Sequence, residues 1–170
     1  MEEAKLYTLP RQTPLLIGAA ITEATAEWMG SWADGLITVS KPPEELRKMV
    51  EAFHRGGGAG KPLYLKSGLS YAPTKQEARL NAHQQWRSVA FQNNVLAELR
   101  TPAEFDAIGK HVRPEDMDDM IRISDSLEQH REWVQNDIDA GFTKIVLHNI
   151  GRNQEEFIDV FGEKVLPAFL

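Results

Sequence analysis

The residues best suited to holding a ligand in this chain are its smallest ones. In "PLLIGAAITEATAEW" an apolar run ends at Gly18, Ala19 and Ala20, and Ile21, Thr22 and Glu23 then open an amphipathic segment. A strand that passes into a helix through bare residues leaves main-chain N–H groups facing outward, and the helix dipole makes that spot attractive to an anion. Binding a phosphate through backbone alone is the chemistry such a turn can do. The same residues also suit a tightly packed turn, with Thr22 as an ordinary cap and Glu23 putting negative charge where the phosphate would lie.

Further candidates follow other apolar runs. Thr38 and Lys41 come at the end of "LITV", where a lysine suits an anionic substrate group or a solvated loop. His148 and Arg152 come after "TKIVL", where an imidazole serves as acid or base, or caps the strand through a ring hydrogen bond. Parallel α/β folds bind ligands at these carboxyl ends. His54, His83, His111 and His130 have no second ligand at metal spacing, and Glu115, Asp116, Asp118 and Asp119 suit a solvated helix start, so no metal is expected. No nucleophile stands beside a base, and no catalytic residue is assigned.

The elements that must position these residues alternate. Residues 15–19 read as a strand covered on both faces. A helix follows, with Ala24, Trp28, Met29, Trp32 and Ala33 on one inward stripe, and residues 36–39 form the next strand, completing a βαβ unit. Pro42 and Pro43 open a helix that buries Leu46, Met49, Val50 and Phe53 and stops at Gly56, Gly57 and Gly58. "PLYLKSGLSY" holds the third strand, and Thr74 with Glu77 forms a capping box before a helix with Ala78, Ala82 and Trp86 inward. Residues 91–124 break the alternation and read as a helical insertion, with Thr101 and Glu104 as a second capping box. A helix over 125–140 places Leu127, Val134 and Ile138 inward. "TKIVLH" is the fourth strand, and Asn153 with Glu156 caps a last helix carrying Phe157, Val160 and Phe161. "KLYTL" near the start is a short surface strand. The fold expected is α/β with about four parallel strands, in one domain spanning residues 1–170.

Composition narrows the function. The 170 residues carry a formal charge of -6 without a cluster of lysines and arginines, which argues against nucleic acid and anionic membranes. No cysteine is present, and no apolar run reaches the roughly 20 residues of a membrane span. A cytoplasmic location and small-molecule or protein partners are expected.

Three stretches carry a family likeness: "GAAITEATAEWMGSWADGLITVSK", "YLKSGLSYAPTKQEARLNAHQQWR" and "GFTKIVLHNIGRNQEEFIDVFGEKVLP". They resemble the bacterial luciferase-like superfamily of flavin- and deazaflavin-dependent oxidoreductases, near the branch that includes deazaflavin-dependent glucose-6-phosphate dehydrogenase. The resemblance implies half of a (β/α)8 TIM barrel, roughly strands five to eight, with a helical insertion at about 91–124. It implies FMN or a deazaflavin (coenzyme F-420) as cofactor, its phosphate held at Gly18, Ala19, Ala20, Ile21 and Thr22, and oxidoreductase or monooxygenase chemistry. Thr38 and Lys41 match positions that touch a sugar phosphate. The basic residues that this branch carries elsewhere fall here on Glu155 or Glu156 and near Asp118, which speaks against glucose-6-phosphate itself. The family's residues nearest the reacting ring belong to the other half of the barrel. Activity is therefore expected only in a homo-oligomer or with a separately encoded N-terminal half; the alternative is a non-catalytic half-barrel binding or assembly module.

Overall fold

The structure is a computed structural model that describes residue 8 and residues 10–169, and of Asn93 the backbone alone. The strand expected at "KLYTL" falls on residues 5–9, of which only Thr8 is described. The described chain runs β1 (Ile17–Ala19), α1 (Glu23–Gly30), β2 (Gly35–Val39), α2 (Pro43–Phe53), β3 (Leu63–Tyr71) and α3 (Lys75–Trp86). It continues through α4 (Asn93–Glu98), α5 (Pro102–Gly109), β4 (Arg122–Ser124), α6 (Leu127–Asp139), β5 (Lys144–Asn149) and α7 (Gln154–Lys164).

All strand pairs are parallel, and β1, β2, β3 and β5 lie side by side in chain order. A sheet that grows in one direction curls as a barrel wall does, whereas a doubly wound sheet reverses its order partway. One strand is additional to the four expected. The three-residue β4 sits inside the insertion and pairs with the last residues of β3, Leu69 to Arg122 and Tyr71 to Ser124. A strand so short, between a 3-10 turn at Pro114–Asp119 and the α6 cap, has too few residues to show alternation.

Side chains on adjacent residues of a strand point to opposite faces, and the two faces of β3 differ. Leu63 and Leu65 join Leu36, Leu46, Met49, Val50, Ala52, Phe53 and Phe142 in a core beneath α2. Tyr64, Lys66 and Gly68 point the other way and are only half-buried. Their cross-strand neighbours are Ile37 and Val39 on β2 and Lys144, Val146 and His148 on β5, so this second face is concave and open. Val39 is 42% exposed and Val146 50%.

Helix α1 departs from the expected stripe. Ala26 and Gly30 are its buried residues, Ala24 faces solvent, and Trp28 and Trp32 are 61% and 47% exposed, stacked edge to face at 5.3 Å. The reason is backbone proximity: a Cβ on Gly30 would lie 2.3 Å from the carbonyl oxygen of Phe53. Small residues let α1 and α2 approach closely, and the indoles are left exposed rather than packed between them. Met29 and Ala33 do face the sheet, against Gly18. Gly56, Gly57 and Gly58 do not stop α2 directly; the chain continues as a π-helical turn, His54–Gly58, in which Gly57 takes a φ of 101°.

The other caps form with variations. Thr101 and Glu104 make the full reciprocal box, while Thr74 accepts from the Glu77 N–H alone. Asn153 makes no cap hydrogen bond; its amide donates to the Tyr71 carbonyl at 3.1 Å and to Glu156 at 3.0 Å, tying α7 to β3. Ile138, expected inward on α6, is exposed, whereas Asp137 beside it is buried to 1%. No described helix is long and apolar enough to cross a membrane.

Candidate functional site

At the carboxyl end of β1 the turn into α1 is built as a helix start. Thr22 has extended backbone angles and its hydroxyl accepts from the Thr25 N–H at 3.3 Å. The Ala20 N–H is already spent, donating to the Ile37 carbonyl at 3.1 Å as a continuation of the sheet. What remains for a ligand is the N–H of Ile21 and Thr22, just before the helix, and of Glu23 and Ala24, which a helix leaves without intrahelical acceptors; of these residues Ile21, Thr22 and Glu23 line the adjoining cleft. Gly18 lies buried within β1 and Ala20 is 4% exposed, so both are packing residues, while Ala19, Ile21 and Thr22 are exposed.

A cleft of about 240 Å³ opens beside this turn, lined by Ile21, Thr22, Glu23, Lys41, Glu45 and Met49. The fold thus brings Lys41, at the β2–α2 turn, next to the first turn of α1. Lys41 pairs with Glu45 at 3.2 Å, a partly exposed contact that an incoming anion can replace at small cost. The donor set suits a phosphate: helix N–H groups and one mobile ammonium. The carboxylates of Glu23 and Glu45 are the unfavourable members of its lining.

The remaining candidates lie apart from this cleft. Thr38 points into the core side of β2, 2% exposed, with a hydroxyl that has no hydrogen-bond partner among the described residues. Arg152 is exposed in the β5–α7 turn. In that turn Asn149 accepts from the Tyr71 N–H at 3.1 Å and donates to Asn153 at 3.1 Å, and Gln154 donates to the Asn149 carbonyl at 2.9 Å. The "NIGRNQ" segment therefore serves mainly to lock β5 to β3.

His148 stands on the concave face, its ring 5.2 Å from Trp86 and its Nδ1 buried without a partner. Burial, and then the charge of Lys66, pull its pKa below the ordinary value, which favours the neutral imidazole. Lys66 holds its ammonium 4.5 Å from the center of the Trp86 ring. Lys66 is a site residue that the sequence reading passed over. A charged residue inside "LYLKSGL", out of phase with Leu63 and Leu65, was the available signal. Ser40 accepts from the Gly68 N–H at 3.0 Å, so the β2 end is clamped onto β3 beside it.

Behind the sheet, Arg122 from β4 grips Asp137 of α6 through two hydrogen bonds of 2.6 and 2.7 Å and donates to Ser67 at 2.9 Å. His130 is fully buried and hydrogen-bonded to the Ser124 carbonyl at 3.0 Å, and burial lowers its pKa. These groups hold β4 and α6 in place. Asp118 of the acidic run is bound to Arg79 at 2.5 Å, and among the described residues no three acidic or histidine side chains converge as a metal site would require.

The model of the Luciferase-like monooxygenase family matches residues 1–144. An F420-dependent glucose-6-phosphate dehydrogenase of Microbacterium testaceum (strain StLB037) is 28% identical over 176 positions, covering 98% of this chain and 52% of the relative. An F420-dependent secondary alcohol dehydrogenase in complex with an F420-acetone adduct superposes with a TM-score of 0.82 at 20% identity, covering 100% of this chain and 53% of that one. The FMN-bound oxygenating constituent of 3,6-diketocamphane monooxygenase from Pseudomonas putida gives 0.58 at 13% identity, over 94% of this chain and 50% of that one. The chain thus spans about half the length of these proteins, and its sheet corresponds to half of their barrel.

Proposed function

The chain belongs to the luciferase-like monooxygenase family, and from that premise we propose that it forms the cofactor-phosphate half of an F420- or FMN-dependent oxidoreductase site. The observation that carries the reading is the first turn of α1, whose N–H groups at Ile21, Thr22 and Glu23 border the cleft that Lys41 also lines. Such a cofactor, when bound, supplies the hydride- or oxygen-transfer chemistry itself. This chain's part is to anchor the phosphate by main-chain donors and Lys41, and to offer His148 and Arg152 along the same strand-end rim to a substrate. Thr38 offers no side-chain contact at the rim, because its hydroxyl is enclosed on the core side of β2.

The open concave face makes the half incomplete. β1 and β5 each have one edge with no described strand beside it, and an exposed sheet edge next to exposed Val39 and Val146 favours association. Activity is proposed to require a second half, supplied by another polypeptide segment or a second copy. The test is a fluorescence titration of FMN and of F420 against the protein, with riboflavin as the phosphate-free control. Binding of the phosphorylated forms at least tenfold tighter than riboflavin is expected; equal binding, or none, removes the proposal.

A second reading, a non-catalytic assembly module, is favoured by one feature. Trp28 and Trp32 stand exposed, stacked edge to face on one another, and Leu15 and Leu16 are exposed as well. Sedimentation velocity separates the readings: self-association that is lost in W28S/W32S, in a chain that binds neither FMN nor F420, supports assembly alone.

A further inference from the structure

We propose that the cavity beside Lys66 on the concave face receives the substrate, and that this substrate is a small organic monoanion with a flat apolar body, such as an aromatic carboxylate. This deepens the reading above by naming a substrate class, and it rests on that reading for taking the rim as the reacting face.

Lys66 lies in register with Val39 on one side and Val146 on the other, so its ammonium emerges from an apolar surface. Among the described residues it has no carboxylate partner. Among the described residues its ammonium is matched by the face of the Trp86 ring, an interaction worth about 0.5–2 kcal/mol, which leaves most of the charge uncompensated. An anion is what that position lacks. Lys66 is the one charged residue lining the cavity, and the His148 ring packs behind it against Trp86 at 5.2 Å, so the site presents a single positive charge. Phosphate recognition instead favours guanidinium forks or several converging N–H groups, and this cavity has neither.

The shape agrees. The cavity holds about 210 Å³, below the ~300–1,000 Å³ of drug-sized pockets, and Val39, Trp86, Val89, Ile121 and Ile150 give it apolar walls. Gly68 leaves its floor bare: a Cβ there would meet only the Trp86 ring edge, at 4.0 Å. A planar ring fits on the strand backbone against Trp86, with its carboxylate toward Lys66.

The test uses the full chain without cofactor and benzoate as probe, followed by tryptophan fluorescence and by the His148 ring signals in NMR. Benzoate is expected to bind at least tenfold tighter than benzyl alcohol, to shift the His148 signals and to resist displacement by inorganic phosphate. K66M is expected to remove the preference for benzoate while the melting temperature stays within a few degrees. Equal binding of benzoate and benzyl alcohol, no benzoate binding, displacement by phosphate, or a folded K66M that keeps the preference would each overturn the proposal. The first three need no variant. If FMN and F420 fail to bind while benzoate selectivity holds, the cofactor reading falls and the cavity stands as an anion site without its role as a substrate site; the opposite pattern sinks this proposal alone.

Discussion

The two faces of β3 are made from alternating residues of one strand, yet they are finished differently. On the core side Ser67 meets Arg122 and Asp137 in a network where each group has a partner, and Leu63 and Leu65 are sealed under α2. On the concave side Lys66 lacks a carboxylate among the described residues, and its neighbours Val39 and Val146 are open. The difference separates two tasks. The core side holds the strands in register, and the concave side keeps unspent polar and apolar surface that a ligand or a second half can use.

Substitutions break this contrast in a definite order. The largest effect is expected from Asp137→Ala, which strands the Arg122 guanidinium in a mostly buried place; a loss of about 3–5 kcal/mol in denaturant unfolding is expected. Gly30→Ala follows, because its Cβ would press on the Phe53 carbonyl, and it should cost about 1–3 kcal/mol in the same assay. A smaller effect comes from pH. His130 and His148 both have folded pKa values below the ordinary 6.5, so the unfolded chain binds more protons in the window below that value. Stability is therefore full above about pH 6.5 and falls as pH drops toward the folded values. His130→Gln should flatten that slope more than His148→Gln, since His130 is the more deeply buried; equal slopes would erase the contrast between the two faces. The smallest effect on folding is expected at Val39→Lys, within about 0.5 kcal/mol for the isolated chain. A drop of several kcal/mol there would mean that the concave face is covered. At the rim, Glu23→Gln should tighten FMN binding about two- to fivefold by removing a like charge from the first turn of α1, read by the same titration.

Much of this arrangement was legible in the residues. Leu46, Met49, Val50 and Phe53 announced the buried face of α2, and Thr101 with Glu104 announced the start of α5, because both signals are local. The outward turn of Trp28 and Trp32 was hidden, since it depends on how closely Gly30 approaches Phe53, a contact between helices that helical spacing does not encode. β4 was hidden by its three-residue length. At the candidate site the helix start at Thr22 was readable, but the use of the Ala20 N–H was not, because its acceptor, Ile37, lies on the neighbouring strand. Lys66 was visible as a charge out of phase, and its meaning came only with the bare floor at Gly68 and the ring of Trp86.

The central claim, a phosphate held by the first turn of α1, has a direct measurement: amide chemical shifts in a ¹H–¹⁵N spectrum recorded as FMN is added. The account predicts the largest shifts at Ile21, Thr22 and Glu23, with the Ala20 amide little changed because it stays bonded to Ile37. Shifts confined to other parts of the rim, or led by Ala20, would contradict it.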